Sequence, residues 1–311
     1  MKRLARRTQP SNGVLQRLPR RDPVTFANAE KSQWLWRSYD DLLLDLQDWV
    51  PRLKGITAVC GVPRSGTIVA SMLAALMNVP LLSLMSLQQN QDDWRPSVSK
   101  KLPVSSGRKI LVVDDTVWSG GTLNEVKKHL STDVLDSCVF GAVYVNAANT
   151  AAVDAYAFSV ESIKHCFAWN FLRDIHSRNT LTDMDGVLCV DWKEDVNHTA
   201  DASYMDFLAN AAPLVKPIYP VLGIVTGRVD VHRDATIEWL RSHNMSFKNL
   251  IMPFETYDQR RGSCVGTAKA KVYDSHPEAS LFVESNEVQA EVIFRKTGRP
   301  VLCTDTLEMI Q

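Results

Sequence analysis

The chain has 311 residues, about twice the length of a common single domain, so two domains are expected. Lys plus Arg is 35 and Asp plus Glu is 35, a formal net charge of zero that points to neither nucleic acid nor a membrane surface. With 45% hydrophobic and 23% charged residues, the composition is that of a soluble globular protein and excludes wholesale disorder.

The elements follow in chain order. Residues 1–21 carry Lys2, Arg3, Arg6, Arg7, Arg17, Arg20 and Arg21 with no acid. This is read as a solvated terminus, with a nucleic-acid-binding arm as the alternative. From Glu30 to Val50, the apolar positions Leu35, Tyr39, Leu42, Leu43, Leu46 and Trp49 recur at helical spacing until Pro51 stops them. A short strand follows over Ile56–Cys60, then a glycine-bearing turn and a helix through Met77. Its apolar run Ile68–Met77 is far short of the roughly 18 residues a membrane span needs. Strands are expected at Val79–Leu84, Ile110–Val113 and 138–145, with a helix over 120–131 and a polar stretch over Gln88–Arg108.

A second series starts near Thr180: strands at Leu181–Thr182, Val221–Val225, Leu281–Val283 and Val301–Cys303, with helices over Val231–His243 and Val288–Thr297. Alternation of this kind is the pattern of parallel sheets covered by helices, so the fold class is α/β, two α/β domains in tandem. The boundaries are a basic arm over 1–29, a first domain over 30–175 and a second over 176–311. Cys60, Cys138, Cys166, Cys189, Cys264 and Cys303 form no CxxC pair, and several sit in apolar runs. They read as buried thiols of a cytoplasmic protein.

The most informative run is Ile110-Leu111-Val112-Val113-Asp114-Asp115-Thr116-Val117-Trp118-Ser119-Gly120-Gly121-Thr122. A buried strand ends in two carboxylates, and a loop of hydroxyls and glycines then enters a helix. Such a loop can aim backbone N–H groups at a phosphate, helped by the positive end of the helix. The carboxylates suit hydroxyls, a cation or developing positive charge. The run resembles the PRPP-binding signature of type I phosphoribosyltransferases, apart from Trp118, which stands where that family has a small residue. The resemblance implies that Asp114 and Asp115 lie beneath the ribose hydroxyls as catalytic residues. It also implies that Thr116, Ser119, Gly120, Gly121 and Thr122 hold the 5′-phosphate. Gly61-Val62-Pro63-Arg64-Ser65-Gly66 resembles the family's pyrophosphate loop. There Arg64, Ser65 and Gly66 would hold the diphosphate of PRPP with Mg²⁺.

Arg95, Lys100 and Lys101 fall where the family has a mobile flap, and a plain surface loop fits them equally. Val153–Phe158 and Cys166–Phe171 resemble the hood strands of purine-type members, with Trp169 as the ring that stacks on the base and core packing as the alternative.

In the second half, Leu181-Thr182-Asp183-Met184-Asp185-Gly186-Val187-Leu188 places two acids at i and i+2 after a strand. One can attack while the other shuttles a proton. A calcium loop or a plain turn is the alternative. The run resembles motif I of the haloacid dehalogenase (HAD) superfamily. Val225-Thr226-Gly227-Arg228, Lys269 (with Lys271 in reserve) and Phe282-Val283-Glu284-Ser285-Asn286 follow in the order of motifs II, III and IV. The resemblance implies Asp183 as nucleophile, Asp185 as general acid/base and Lys269 as the catalytic cation. Thr226 and Gly227 would bind phosphate, and Asp183, Asp185 and Glu284 would hold Mg²⁺. Motif IV departs from the family in offering Glu284 where aspartates are usual. The short insertions imply a capless HAD-like Rossmannoid fold.

Together the resemblances imply a bifunctional enzyme of nucleotide metabolism. The first domain transfers phosphoribosyl from PRPP to a purine-type nucleobase, or runs the reverse. The second is a Mg²⁺-dependent phosphatase acting on the nucleotide. The family often pairs subunits, which leaves a homodimer open. The alternative is a PRPP- or nucleotide-sensing regulatory protein that binds nucleic acid through the basic arm.

Overall fold

The computed structural model describes residues 34–89, 109–161, 164–192 and 202–311. The basic arm, the first residues of the expected 30–50 helix and the flap residues Arg95, Lys100 and Lys101 lie outside them.

The strands in chain order are β1 (Leu35–Arg37), β2 (Ala58–Gly61), β3 (Leu81–Leu82), β4 (Ile110–Val117), β5 (Cys138–Asn146), β6 (Ala155–Val160) and β7 (His165–Phe167). They continue as β8 (Thr180–Thr182), β9 (Val221–Val225), β10 (Phe247–Ile251), β11 (Leu281–Glu284), β12 (Val301–Cys303) and β13 (Glu308–Ile310). The first large sheet has the order β3-β2-β4-β5-β6, with every pair parallel. The second has the order β10-β9-β8-β11-β12-β13, parallel except for the closing β12–β13 pair. β1 and β7 form a separate parallel pair.

Parallel strands need crossovers, and the helices that supply them bury both sheet faces, so the strands read as continuous apolar runs. Val59, Leu111, Val113 and Val143 pack on one face of the first sheet, and Cys60, Val112 and Ala142 on the other. In the second sheet Leu181, Val225 and Phe282 lie on one face, and Ile224 and Val283 on the other.

Both sheets reverse direction once. The chain runs outward from β2 to β3 and returns to lay β4 on the other side of β2. In the second sheet it runs from β8 through β9 to β10, then returns to lay β11 beside β8. At such a switch point the loops after the two central strands diverge and leave a crevice at their carboxyl ends, where ligands bind in open α/β sheets. The loops after β2 and β4, and those after β8 and β11, are the ones that carry the polar motifs.

Four expectations need correction. Leu35 lies on β1, and the helix runs over Tyr39–Trp49. Ser38 caps it: its hydroxyl accepts the Asp41 N–H at 3.2 Å and the Asp41 carboxylate accepts the Ser38 N–H at 3.0 Å, a reciprocal box that fixes the start. β4 continues through the acid pair to Val117, because Asp114, Thr116 and Val117 all stay in register with β5. The helix expected over 120–131 ends at Lys128, with a separate turn of helix over Thr132–Leu135. β6, taken for a hood strand, is the fifth strand of the first sheet.

The apolar core also crosses the expected domain boundary. Trp34, Trp36, Cys166 and Leu172 share one cluster with Leu281, Val283 and Leu302. The Trp34 indole donates to the Ser280 carbonyl at 3.0 Å and the Trp36 indole to the Leu307 carbonyl at 2.8 Å. Gln311 exchanges two hydrogen bonds with the Trp34 backbone, so the β1 segment is tied to the second half's last strand.

Candidate active site

In the first half the two glycine-bearing loops meet at the acid pair. The Val62 N–H donates to the Val113 carbonyl at 2.9 Å. Gly66 begins the helix Gly66–Met77. A Cβ added to it would stand 2.6 Å from the Val113 carbonyl oxygen and 3.0 Å from Asp114 Oδ1, so only glycine fits. Arg64 is exposed at the turn, beside a cis peptide bond between Pro63 and Arg64, and Ser65 is half-buried. Gly120 adopts φ +80 as the N-cap of the helix Gly121–Lys128, a left-handed turn that glycine makes without strain. Ser119, Gly121 and Thr122 are exposed around it, whereas Thr116 is half-buried on β4 with its hydroxyl oxygen buried and unpartnered among the described residues.

Asp114 and Asp115 are both buried. The Asp115 N–H donates to Asp114 Oδ1 at 2.9 Å, and the Thr116 N–H to Asp115 Oδ1 at 2.8 Å. Burial and the neighbouring Asp115 carboxylate push Asp114 up to about 8, so near neutral pH the pair holds a proton. Trp118, the departure from the family pattern, turns its ring toward β7 and stacks on His165 at 5.5 Å. Its carbonyl accepts from Asn149 Nδ2 at 2.7 Å. Both contacts anchor the loop.

Trp169 packs in the core, the alternative reading of the sequence, rather than standing free to stack on a base. It is 9% exposed, Phe167 covers one ring face at 4.8 Å, and its Nε1–H donates to Asp115 Oδ2 at 2.7 Å. That contact links residues 54 apart in sequence, and nothing local signals it.

In the second half the structure brings Asp183 and Lys269 together. Lys269 Nζ stands 2.7 Å from Asp183 Oδ2 and 2.7 Å from Glu284 Oε2. Burial and the adjacent Glu284 carboxylate raise Asp183 well above the usual carboxylate range, against the pull of Lys269. Lys271 is exposed. A cavity of about 100 Å³ opens onto Asp183, Lys269, Gly227, Arg260, Tyr204 and Gln289, among others.

Three assignments there need correction. Asp185 is held by the buried Arg228, with Nη2 2.5 Å from Oδ1 and Nε 3.0 Å from Oδ2, so its carboxylate is neutralised rather than free to shuttle a proton. Thr226 is fully buried, and its hydroxyl oxygen accepts the Arg228 N–H at 3.1 Å, turned into its own loop; of the pair, Gly227 faces the cavity. Glu284 is fully buried, with Oε2 on Lys269 and Oε1 accepting the Ser285 and Asn286 N–H groups at 3.0 and 3.1 Å.

The donor set therefore does not fit the expected Mg²⁺ site of Asp183, Asp185 and Glu284. All three carboxylates meet a cationic side chain, Asp185 that of Arg228 and both Asp183 and Glu284 that of Lys269, and the loop amides also close Glu284. The Asp185 carbonyl oxygen also accepts the Ser285 hydroxyl at 3.0 Å. Among the described residues, no group of three His, Cys, Asp or Glu side chains is disposed to hold a metal ion. Sequence reasoning assigned no role to Arg228 or Arg260. Arg228 stands in the quoted motif, and its charge complement to Asp185 was the available signal. Arg260, whose Nε donates to the Gly227 carbonyl at 2.7 Å, offered none.

No curated protein matches the chain. Among solved structures it is similar to a purine phosphoribosyltransferase from Pyrococcus horikoshii Ot3, with 17% identity and a TM-score of 0.34 over 44% of this chain and 93% of that one. It is also similar to the Xanthine-Guanine-Hypoxanthine Phosphoribosyltransferase of Helicobacter pylori (18% identity, TM-score 0.33, 45% of this chain and 95% of that one). A third is a hypothetical protein from Neisseria gonorrhoeae with bound ppGpp (16%, 0.33, 44% and 89%). Residues 51–175, which hold both glycine-bearing loops and the acid pair, match the family model described as Phosphoribosyl transferase domain.

Proposed function

We propose that the first half transfers a phosphoribosyl group between PRPP and a purine-type nucleobase. The observation that carries this reading is the contact of Gly66 with Asp114, which brings the Arg64–Gly66 turn and the 116–122 loop to one switch point. In this reading the exposed Ser119, Gly121 and Thr122 hold the 5′-phosphate, and Arg64 and Ser65 hold the diphosphate. Mg²⁺ enters bound to that diphosphate, as part of the substrate. Transfer passes through a centre of oxocarbenium character, so the protein's part is to align the reactants and to place negative charge beneath the ribose. Asp115 supplies that charge, and Asp114, carrying a proton, can donate to a ribose hydroxyl.

The partners are PRPP, a nucleobase and the nucleotide product, and the site of action is the cytoplasm. No helix among the described residues is long and apolar enough to cross a membrane. The test is pyrophosphate release from Mg²⁺–PRPP with a panel of purine bases. The base that is a substrate should give release that Asp115→Asn abolishes.

For the second half we propose a phosphomonoester ligand, supported by Asp183, Lys269 and Gly227 facing one small cavity. The carboxylates do not support Mg²⁺-dependent hydrolysis there. Release of phosphate from nucleoside 5′-monophosphates, with Mg²⁺ or with EDTA, tests this directly. Mg²⁺-dependent release lost in Asp183→Asn would restore the hydrolase. The regulatory alternative depends on the basic arm, outside the described residues. A salt-dependent nucleic-acid shift lost on deleting residues 1–29 would favour it.

A further inference from the structure

Asp115 is held at both of its oxygens. The Thr116 N–H donates to Oδ1 at 2.8 Å and the Trp169 indole N–H to Oδ2 at 2.7 Å. Asp114 has the Asp115 N–H on Oδ1 and no indole. Two N–H donors, one on each oxygen, fix the plane of a carboxylate, and each oxygen keeps a second lone pair for a substrate hydroxyl.

The indole is itself immobilised. Phe167 stacks on it at 4.8 Å with 16° between the rings, and the Tyr39 ring lies 5.9 Å away. Phe167 is in turn stacked on Tyr144 at 5.1 Å and held in β7 by pairing with Arg37 of β1. The donor therefore comes from the turn that follows β7, outside the sheet that carries Asp115, and packing aims it.

We infer that Trp169 is the positioning residue for Asp115: its indole N–H fixes the carboxylate in one orientation beneath the substrate's ribose. A charge held in place before reaction requires no reorganisation as the positive centre develops, which is where a fixed carboxylate acts. The inference rests on the phosphoribosyl-transfer reading for its catalytic consequence, while the contact itself does not.

The experiment replaces Trp169 in the full chain by 3-benzothienylalanine, which keeps the shape of the ring and cannot donate, and separately by Phe. Pyrophosphate release gives kcat and the KM for PRPP. The expected result is that both variants lose roughly 10-fold or more in kcat, with KM for PRPP changed much less, because the hydrogen bond acts on the transition state. Wild-type kcat in the benzothienyl variant would overturn the inference, since packing alone would then account for Trp169. In parallel, the Trp169 indole N–H resonance is followed in wild type, Asp115→Asn and Asp115→Ala. It should move and exchange faster in Asp115→Ala, with Asp115→Asn between the two. A resonance indifferent to Asp115 would overturn the inference whether or not the protein releases pyrophosphate. Absence of release in wild type with a responsive resonance would sink the transferase reading while supporting the contact.

Discussion

Lys269 and Glu284 form a fully buried ion pair, Nζ to Oε2 at 2.7 Å, and the same ammonium reaches Asp183 at 2.7 Å. Lysine at this position closes the charge of two carboxylates that a cleft for a divalent cation would leave open. The second half is thus built around an internal cation.

Removing that cation is expected to be expensive. Lys269→Met keeps most of the volume and leaves Asp183 and Glu284 facing each other, and breaking a buried pair in this way costs about 3–5 kcal/mol. Adding Glu284→Gln should recover a large part of the loss, because the uncompensated charge goes with it. Urea denaturation of the single and double variants measures both. Equal stability of Lys269→Met and wild type would contradict the pairing.

Asp114 makes stability depend on pH. Its value is about 8 in the folded chain, against 3.8 when unperturbed, so the folded state binds the proton more tightly than the unfolded one. The contribution is present in full below about 4 and is lost as pH rises through about 8, at roughly 1.4 kcal/mol per pH unit between those limits. Asp114→Asn removes this slope. The variant should match wild type near pH 4 and exceed it in melting temperature at pH 8. An unchanged difference between the two across that range would count against a protonated Asp114.

Gly66→Ala tests the junction of the two loops. The new Cβ would meet the Val113 carbonyl oxygen at 2.6 Å, and backbone rather than a flexible side chain stands in the way. A cost of about 1–3 kcal/mol in stability is expected, as for other overpacked positions. Any pyrophosphate release should fall with it, since the turn carrying Arg64 must move away from Asp114. Thermal melts and the release assay report the two effects separately.

Much of the sheet was legible because buried parallel strands are continuous apolar runs: Ala58–Gly61, Ile110–Val113 and Val221–Val225 carry their own signal. The acid pair and its glycine loop were legible for the same reason, as a polar break after such a run. β4 runs past the strand end that Asp114 and Asp115 suggest, because its backbone goes on pairing with β5 through Val117. β1 was missed because Leu35 happens to fit the helical period of the residues after it. The Ser38-Tyr39-Asp40-Asp41 capping pattern was the overlooked boundary. Trp169 with Asp115, and Arg228 with Asp185, are partners 54 and 43 residues apart, fixed by how β7 and β9 pack rather than by any local spacing. Single-sequence periodicity holds no information of that kind.

We propose that the crevice between β2 and β4 transfers phosphoribosyl groups. Its most direct test is pyrophosphate release from Mg²⁺–PRPP by the full chain with a panel of purine bases, run beside Asp115→Asn. Release that requires a particular base and disappears in Asp115→Asn is the expected result. Silence with every base, while PRPP binds equally to wild type and to Asp115→Asn, would contradict it.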